Sequence, residues 1–242
     1  MKLHFFPAET PNATGVLVLP GGGYEELSMD NEGYNPMRWL NDRGYDAWIL
    51  EYTVAGPVSI PPIYPKPQEE ALEAVRQIRA QDRVRMLGVW GWSAGGHLAA
   101  VTATDPAAAL DFAILAYPVI SMEPGTTHMG SMRRLIGEDA QPEIRHQLSA
   151  QNRVSSETPP TFIFHTANDD TVSVQNALLF AASMATHQRP FEILVLPDGP
   201  HGIGLALNDP RLSWTEGFTV GFKFIYQSGK QRFSILRPRG EG

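Results

Sequence analysis

A chain of 242 residues, 43% hydrophobic and 19% charged, has the length and balance of one globular α/β domain and excludes a disordered or fibrous protein. Twenty-six acidic against nineteen basic side chains give a net charge of −7, which offers no general attraction to nucleic acid or anionic lipid and leaves a small neutral molecule as the expected partner. The absence of cysteine excludes disulfides and thiolate metal sites, and no run approaches the roughly 18 consecutive apolar residues of a spanning helix.

Pro7 and Glu9 interrupt the N-terminal residues before a signal-like apolar stretch can form, so the expected protein is soluble and cytoplasmic, with no membrane partner. Strand-like and helix-like segments then alternate, which predicts a parallel sheet covered by helices. Gly15-Val16-Leu17-Val18-Leu19 reads as a buried strand, followed by the loop Pro20-Gly21-Gly22-Gly23. Asn35-Pro36 reads as the start of a helix and Gly44 as its stop. Ala47–Leu50 is the next strand. A helix is expected from Pro67 to Gln81, where Ala71, Val75 and Ile78 recur at helical spacing. Val84–Trp90 reads as a strand, Ala94 onward as an alanine-rich helix, and Phe112–Ala116 as a strand.

The stretch from Val119 to Pro160 is irregular, with short helical pieces around Met132 and Ile144. Thr161–His165 is a strand, Val174–His187 a helix and Phe191–Leu196 the last clear strand; a helix is expected across Trp214–Tyr226. These elements predict a single domain over residues 1–242, with its core at about 15–226 and a basic extension at 227–242. The expected architecture is a mostly parallel central sheet of about eight strands with helices on both faces. The stretch from Val119 to Pro160 is short and rich in glycine and proline, so it can form only a minimal cap. That predicts an open site, where a long apolar chain would find little surface to bury.

Gly91-Trp92-Ser93-Ala94-Gly95 matches the pattern of a nucleophile elbow, between an apolar strand and a helix as that pattern requires. A serine hydroxyl needs a base, and the base needs an orienting carboxylate. His201 lies in a glycine- and proline-rich loop directly after the last clear strand, where it can face a cleft. The acid is expected after the preceding strand. Asp169 is favoured there over its neighbour Asp170, while Asp198 suits a turn. An oxyanion needs N–H donors, expected from the backbone of Ala94 and from the glycine triplet at Gly22 and Gly23. No Lys-Ser/Thr follows the triplet, which argues against a phosphate loop, and no metal-ligand spacing such as H-E-x-x-H occurs. No cofactor or metal is expected. Tyr24, Trp92 and Tyr117 are candidate aromatic walls of a substrate site, Glu32 reads as a structural anchor, and His97 as packing.

Pro20-Gly21-Gly22-Gly23-Tyr24, Glu32-Gly33, Trp39-Leu40, Glu51-Tyr52, Gly91 to Ala99, Tyr117-Pro118, the Asp169 loop and His201-Gly202 together resemble the acetyl xylan esterase-like branch of the α/β-hydrolases. They are similar also to hormone-sensitive-lipase-type esterases and to kynurenine formamidase. The resemblance runs from about Gly15 to Tyr226 and implies a triad of Ser93, Asp169 and His201, with an oxyanion hole from the glycine triplet and Ala94. Because many such relatives deacetylate xylan or small acetylated sugars, it implies hydrolysis of short, acetyl-type esters of a sugar or other small molecule through an acyl-serine. Formamidase, lactonase or carboxylesterase action on a non-sugar metabolite is the alternative, and a catalytically silent binding module is a second. Three positions depart from the pattern: Pro20 stands where related esterases have histidine, Ser173 where proline commonly follows the acid loop's valine, and Thr53 where arginine often follows the tyrosine.

Overall fold

Side chains of a strand alternate between the two faces of its sheet, so strands apolar at every position must be covered on both. The computed structural model describes residues 1–56 and 59–215 and meets that demand. Its strands are β1 (Lys2–Phe6), β2 (Thr14–Leu19), β3 (Asp46–Glu51), β4 (Met86–Trp92), β5 (Phe112–Ala116), β6 (Thr161–Thr166) and β7 (Phe191–Leu196). They form one sheet in the order β1-β3-β2-β4-β5-β6-β7, with seven strands among the described residues rather than about eight. All neighbours pair in parallel except β1, which runs antiparallel along β3 at the edge, with Leu3 opposite Leu50. β1 was not among the expected strands. Its mixed, half-exposed residues carry little signal of their own, and β3 supplies the pairing.

The helices are α1 (Asn35–Asn41), α2 (Lys66–Ala80), α3 (Ser93–Ala103), α4 (Met129–Ile136), α5 (Pro142–Leu148) and α6 (Gln175–Thr186). One apolar layer joins Leu17, Leu19, Leu87, Val89, Leu115 and Ile163 to α2, α3 and α6; the other joins Val16, Val18, Trp90, Trp92, Ile114 and Phe164 to α1 and Trp214. The alternation along β2 and β4 is thus the sequence pattern made solid. Met132, Leu135, Ile136 and Leu148 of α4 and α5 belong to the first layer. The excursion between β5 and β6 therefore spends its apolar residues beside the sheet, as a minimal cap requires.

β4 runs to Trp92, two residues beyond the expected end, because its ladder with β5 continues to Trp92 opposite Ala116. Ser93 then opens α3 directly. From β2 the chain crosses to β3 on one side, and from β4 to β5 on the other, so the carboxyl ends of β2 and β4 flank the point where the winding reverses. Sheets of this kind place their sites there. Of the helix expected across Trp214–Tyr226, only Trp214 and Thr215 are described; the rest, and the extension from Gln227, lie outside the described residues. No helix among the described residues is long and apolar enough to cross a membrane.

Candidate active site

Ser93 occupies the step from β4 to α3 with φ of +51°, a left-handed conformation that side chains rarely adopt. The flanking glycines make the step possible. A Cβ on Gly91 would stand 2.2 Å from the Gly95 carbonyl oxygen, and one on Gly95 would stand 2.2 Å from that of Leu19. The serine is thereby pushed up at the carboxyl end of the sheet.

The loops after β6 and β7 bring Asp169 and His201 to it. His201 Nε2 lies 2.9 Å from Ser93 Oγ, and His201 Nδ1 lies 2.7 Å from Asp169 Oδ2. A carboxylate only accepts, so Nδ1 carries the proton and donates it to Asp169, leaving the Nε2 lone pair to accept the Ser93 hydroxyl. Asp169 Oδ1 accepts the N–H groups of Thr171 and Val172, both at 2.9 Å. Burial opposes ionisation of Asp169, but hydrogen bonds from His165, His201 and the Val172 N–H outweigh it and hold the carboxyl below the usual carboxylate range. Asp170, the alternative acid, is exposed and, among the described residues, accepts only from the Thr171 hydroxyl at 3.2 Å. Asp198 accepts from the Asn168 amide, tying the loop after β7 to the loop after β6 rather than closing a turn of its own.

The sequence pattern assigns His165 no role beyond the strand Thr161–His165. This histidine is fully buried at the end of β6, where Nε2 donates to the Val172 carbonyl at 2.8 Å and stands 3.4 Å from Asp169 Oδ2. A histidine four residues before the acid, at a strand end, was the available signal.

The glycine loop is held from several sides. Gly21 N–H donates to Glu32 Oε2 at 2.8 Å, the Tyr52 hydroxyl donates to the Pro20 carbonyl at 2.6 Å, and Arg134 Nη1 donates to the Gly23 carbonyl at 3.4 Å. A Cβ on Gly21 would come within 2.9 Å of Ser93 Cβ, so the loop lies directly against the serine. The N–H groups of Gly22 and Gly23 lack an acceptor among the described residues, and that of Ala94, in the first turn of α3, lacks an intrahelical one.

Glu32 is an anchor, as read. It is buried and accepts from Gly21 and, at 2.8 Å, from the Tyr117 hydroxyl. Burial raises its pKa, with the Tyr117 and Gly21 hydrogen bonds and the nearby His201 opposing. His97 does more than pack. Its Nε2 donates to the Leu148 carbonyl at 2.7 Å, which fixes the tautomer and leaves Nδ1 to accept the Tyr24 hydroxyl at 2.8 Å.

The aromatic walls require correction. Tyr24, Trp92 and Tyr117 are each at most 1% exposed and offer no face to a sugar ring. Trp92 stacks on Trp90 at 4.6 Å between ring centres, because β4 is covered on that face by the α1 layer. Tyr24 and Tyr117 instead turn their hydroxyls to His97 and Glu32. The departures Ser173 and Thr53 are absorbed locally: Ser173 Oγ accepts the Gln175 N–H at 3.3 Å at the start of α6, and Thr53 donates through N–H and hydroxyl to Glu70 at 2.6 and 2.8 Å.

Residues 66–216 match the prolyl oligopeptidase family. The chain is 32% identical over 211 residues to an acetylxylan esterase of Xylanibacter ruminicola, covering 82% of this chain and 43% of that protein. It is 32% identical over 238 residues to endo-1,4-beta-xylanase B of Butyrivibrio fibrisolvens, covering 91% of this chain and 36% of the relative. The chain thus spans less than half the length of either. Among solved structures, an acetyl ester-xyloside bifunctional hydrolase from Caldicellulosiruptor lactoaceticus superposes with a TM-score of 0.82 at 34% identity, covering 95% of this chain and 89% of that one.

Proposed function

The chain belongs to the prolyl oligopeptidase family of α/β-hydrolases, and on that footing we propose that it is a serine esterase that removes short, acetyl-type acyl groups from a sugar or similar small molecule. The observation that carries this reading is the continuous line from Asp169 Oδ2 through both nitrogens of His201 to Ser93 Oγ, at 2.7 and 2.9 Å. The acetylxylan esterase and the bifunctional acetyl esterase among its relatives support the choice of acyl group.

In this mechanism Ser93 Oγ attacks the ester carbonyl carbon while its proton passes to His201 Nε2. Asp169 keeps the proton on Nδ1 and stabilises the imidazolium that forms. The carbonyl oxygen becomes an oxyanion, held by the N–H groups of Gly22, Gly23 and Ala94. A single donor of this kind is worth about 2.7–4 kcal/mol in a well-studied protease. Collapse breaks the bond to the alcohol, which leaves with the proton from Nε2. Water then repeats the sequence on the acyl-serine: Nε2 takes its proton, the acid is released and the Ser93 hydroxyl is restored.

The excursion between β5 and β6 packs Met132, Leu135, Ile136 and Leu148 into the core layer, which leaves these side chains unavailable to line a deep apolar tunnel. A longer acyl chain therefore forgoes about 0.8 kcal/mol for each CH2 left in water, whereas an acetyl group loses nothing. Measuring kcat/KM for p-nitrophenyl esters from acetate to decanoate tests the assignment. The expected optimum is acetate or propionate, and an optimum at eight carbons or longer would overturn it.

A further inference from the structure

We infer that His128 and Arg134, carried by α4 and the residue before it, form the binding site for the alcohol half of the ester and suit an uncharged, hydroxyl-rich group such as a sugar. The inference rests on the esterase reading above and specifies where its alcohol is held.

His128 caps the N-terminus of α4. Its Nδ1 accepts the Ser131 N–H at 3.4 Å and lies 2.8 Å from Ser131 Oγ. A ring nitrogen that accepts an N–H carries no proton, so the neutral ring holds its proton on Nε2. That N–H has no acceptor among the described residues. Burial, then the neighbouring charges of His201 and Arg134, lower the His128 pKa against the pull of Asp169, which keeps the ring neutral.

The ring lies at the mouth of the site. A Cβ built on Gly23, one of the three proposed oxyanion donors, would be 4.0 Å from His128 Cε1 and 3.5 Å from Arg134 Nη1. A Cβ on Gly130 would be 2.9 Å from the same Nη1 and 3.2 Å from His128 Cε1, so the bare glycine lets the two side chains lie together. Arg134 also pairs with Glu25, which matches its charge.

The rim therefore presents N–H donors with little net charge. An acetyl methyl has nothing to offer such donors, whereas hydroxyl oxygens do, which assigns them to the alcohol half. A carboxylate-bearing sugar would have to compete with Glu25 for Arg134, which disfavours uronates.

His128→Asn tests the site, because asparagine is among the best helix caps yet is too short to carry the Nε2–H to the rim. The quantity to measure is the ratio of kcat/KM for acetylated xylose to that for p-nitrophenyl acetate. This ratio should fall on the order of tenfold, mostly through KM of the sugar, as expected for one lost neutral hydrogen bond. His128→Gln, which carries a side-chain N–H further out than asparagine, should recover part of it. In the wild type, acetylated xylose should exceed acetylated glucuronate. An unchanged ratio in His128→Asn, or a preference for the uronate, would overturn the inference. A wild type that cleaves p-nitrophenyl acetate but no acetylated sugar would overturn it and leave the esterase reading standing; a wild type that cleaves neither would remove the esterase reading as well.

Discussion

Tyr117 donates its hydroxyl to Glu32 Oε1 at 2.8 Å, and the Tyr117 hydroxyl oxygen itself accepts the Gly204 N–H at 2.9 Å. Through Glu32 the contact reaches Gly21, so one buried hydroxyl links the glycine loop, β5 and the loop carrying His201. Tyr117 also lies edge-on to the His201 ring, 4.9 Å between centres.

Tyr117→Phe should therefore damage two loops at once. It leaves a buried carboxylate oxygen and a buried N–H without partners, which costs about 1–3 kcal/mol of stability. The expected result is a lower urea midpoint together with a fall in kcat larger than any change in KM for p-nitrophenyl acetate. A stable mutant with unaltered kcat would mean that the hydroxyl does not hold the site.

Asp169→Asn and Asp170→Asn separate the two candidate acids. An amide at Asp169 can present N–H to His201 and impose the wrong tautomer, so kcat should fall by roughly 10³–10⁴. Asp170 is exposed and, among the described residues, hydrogen-bonds only to Thr171, so its variant should stay within about threefold of wild type. Steady-state kinetics decide, and the reverse ranking would move the acid to Asp170.

The triad positions were legible because each follows a strong local pattern. Gly91 and Gly95 bracket Ser93, apolar runs precede both Asp169 and His201, and the order of strands brings their carboxyl ends together. The network around them was not legible. Nothing near Tyr117 in sequence reveals that its hydroxyl meets a carboxylate 85 residues away, and a fully buried tyrosine and a cleft-lining one read alike. His128 and Arg134 lay in a stretch with short, weakly patterned helices, and only the packing of α4 places them beside Gly23. β1 escaped because an edge strand takes its pattern from its neighbour.

His97 should make the fold sensitive to acid. Burial lowers its pKa from 6.5 to about 4, with the Leu148 carbonyl opposing and Arg153 adding to the shift. The unfolded chain therefore takes up the proton first. The contribution of His97 is complete above about pH 6.5 and is lost as pH falls toward 4, amounting to about 3 kcal/mol. In urea unfolding at pH 7 and pH 4.5, the wild type should lose more stability between the two than His97→Asn does. Equal losses would show that His97 titrates normally in the folded protein.

The account turns on Ser93, and covalent labelling by a fluorophosphonate probe, mapped by mass spectrometry, tests it most directly. The predicted result is a single adduct on Ser93, with activity lost in step with labelling. Ser93→Ala should remain folded, take up no label and lose activity by the order of 10⁴–10⁶-fold. An adduct on another residue, or a Ser93→Ala protein that keeps more than about a tenth of wild-type activity, would contradict the assignment of Ser93 as the nucleophile.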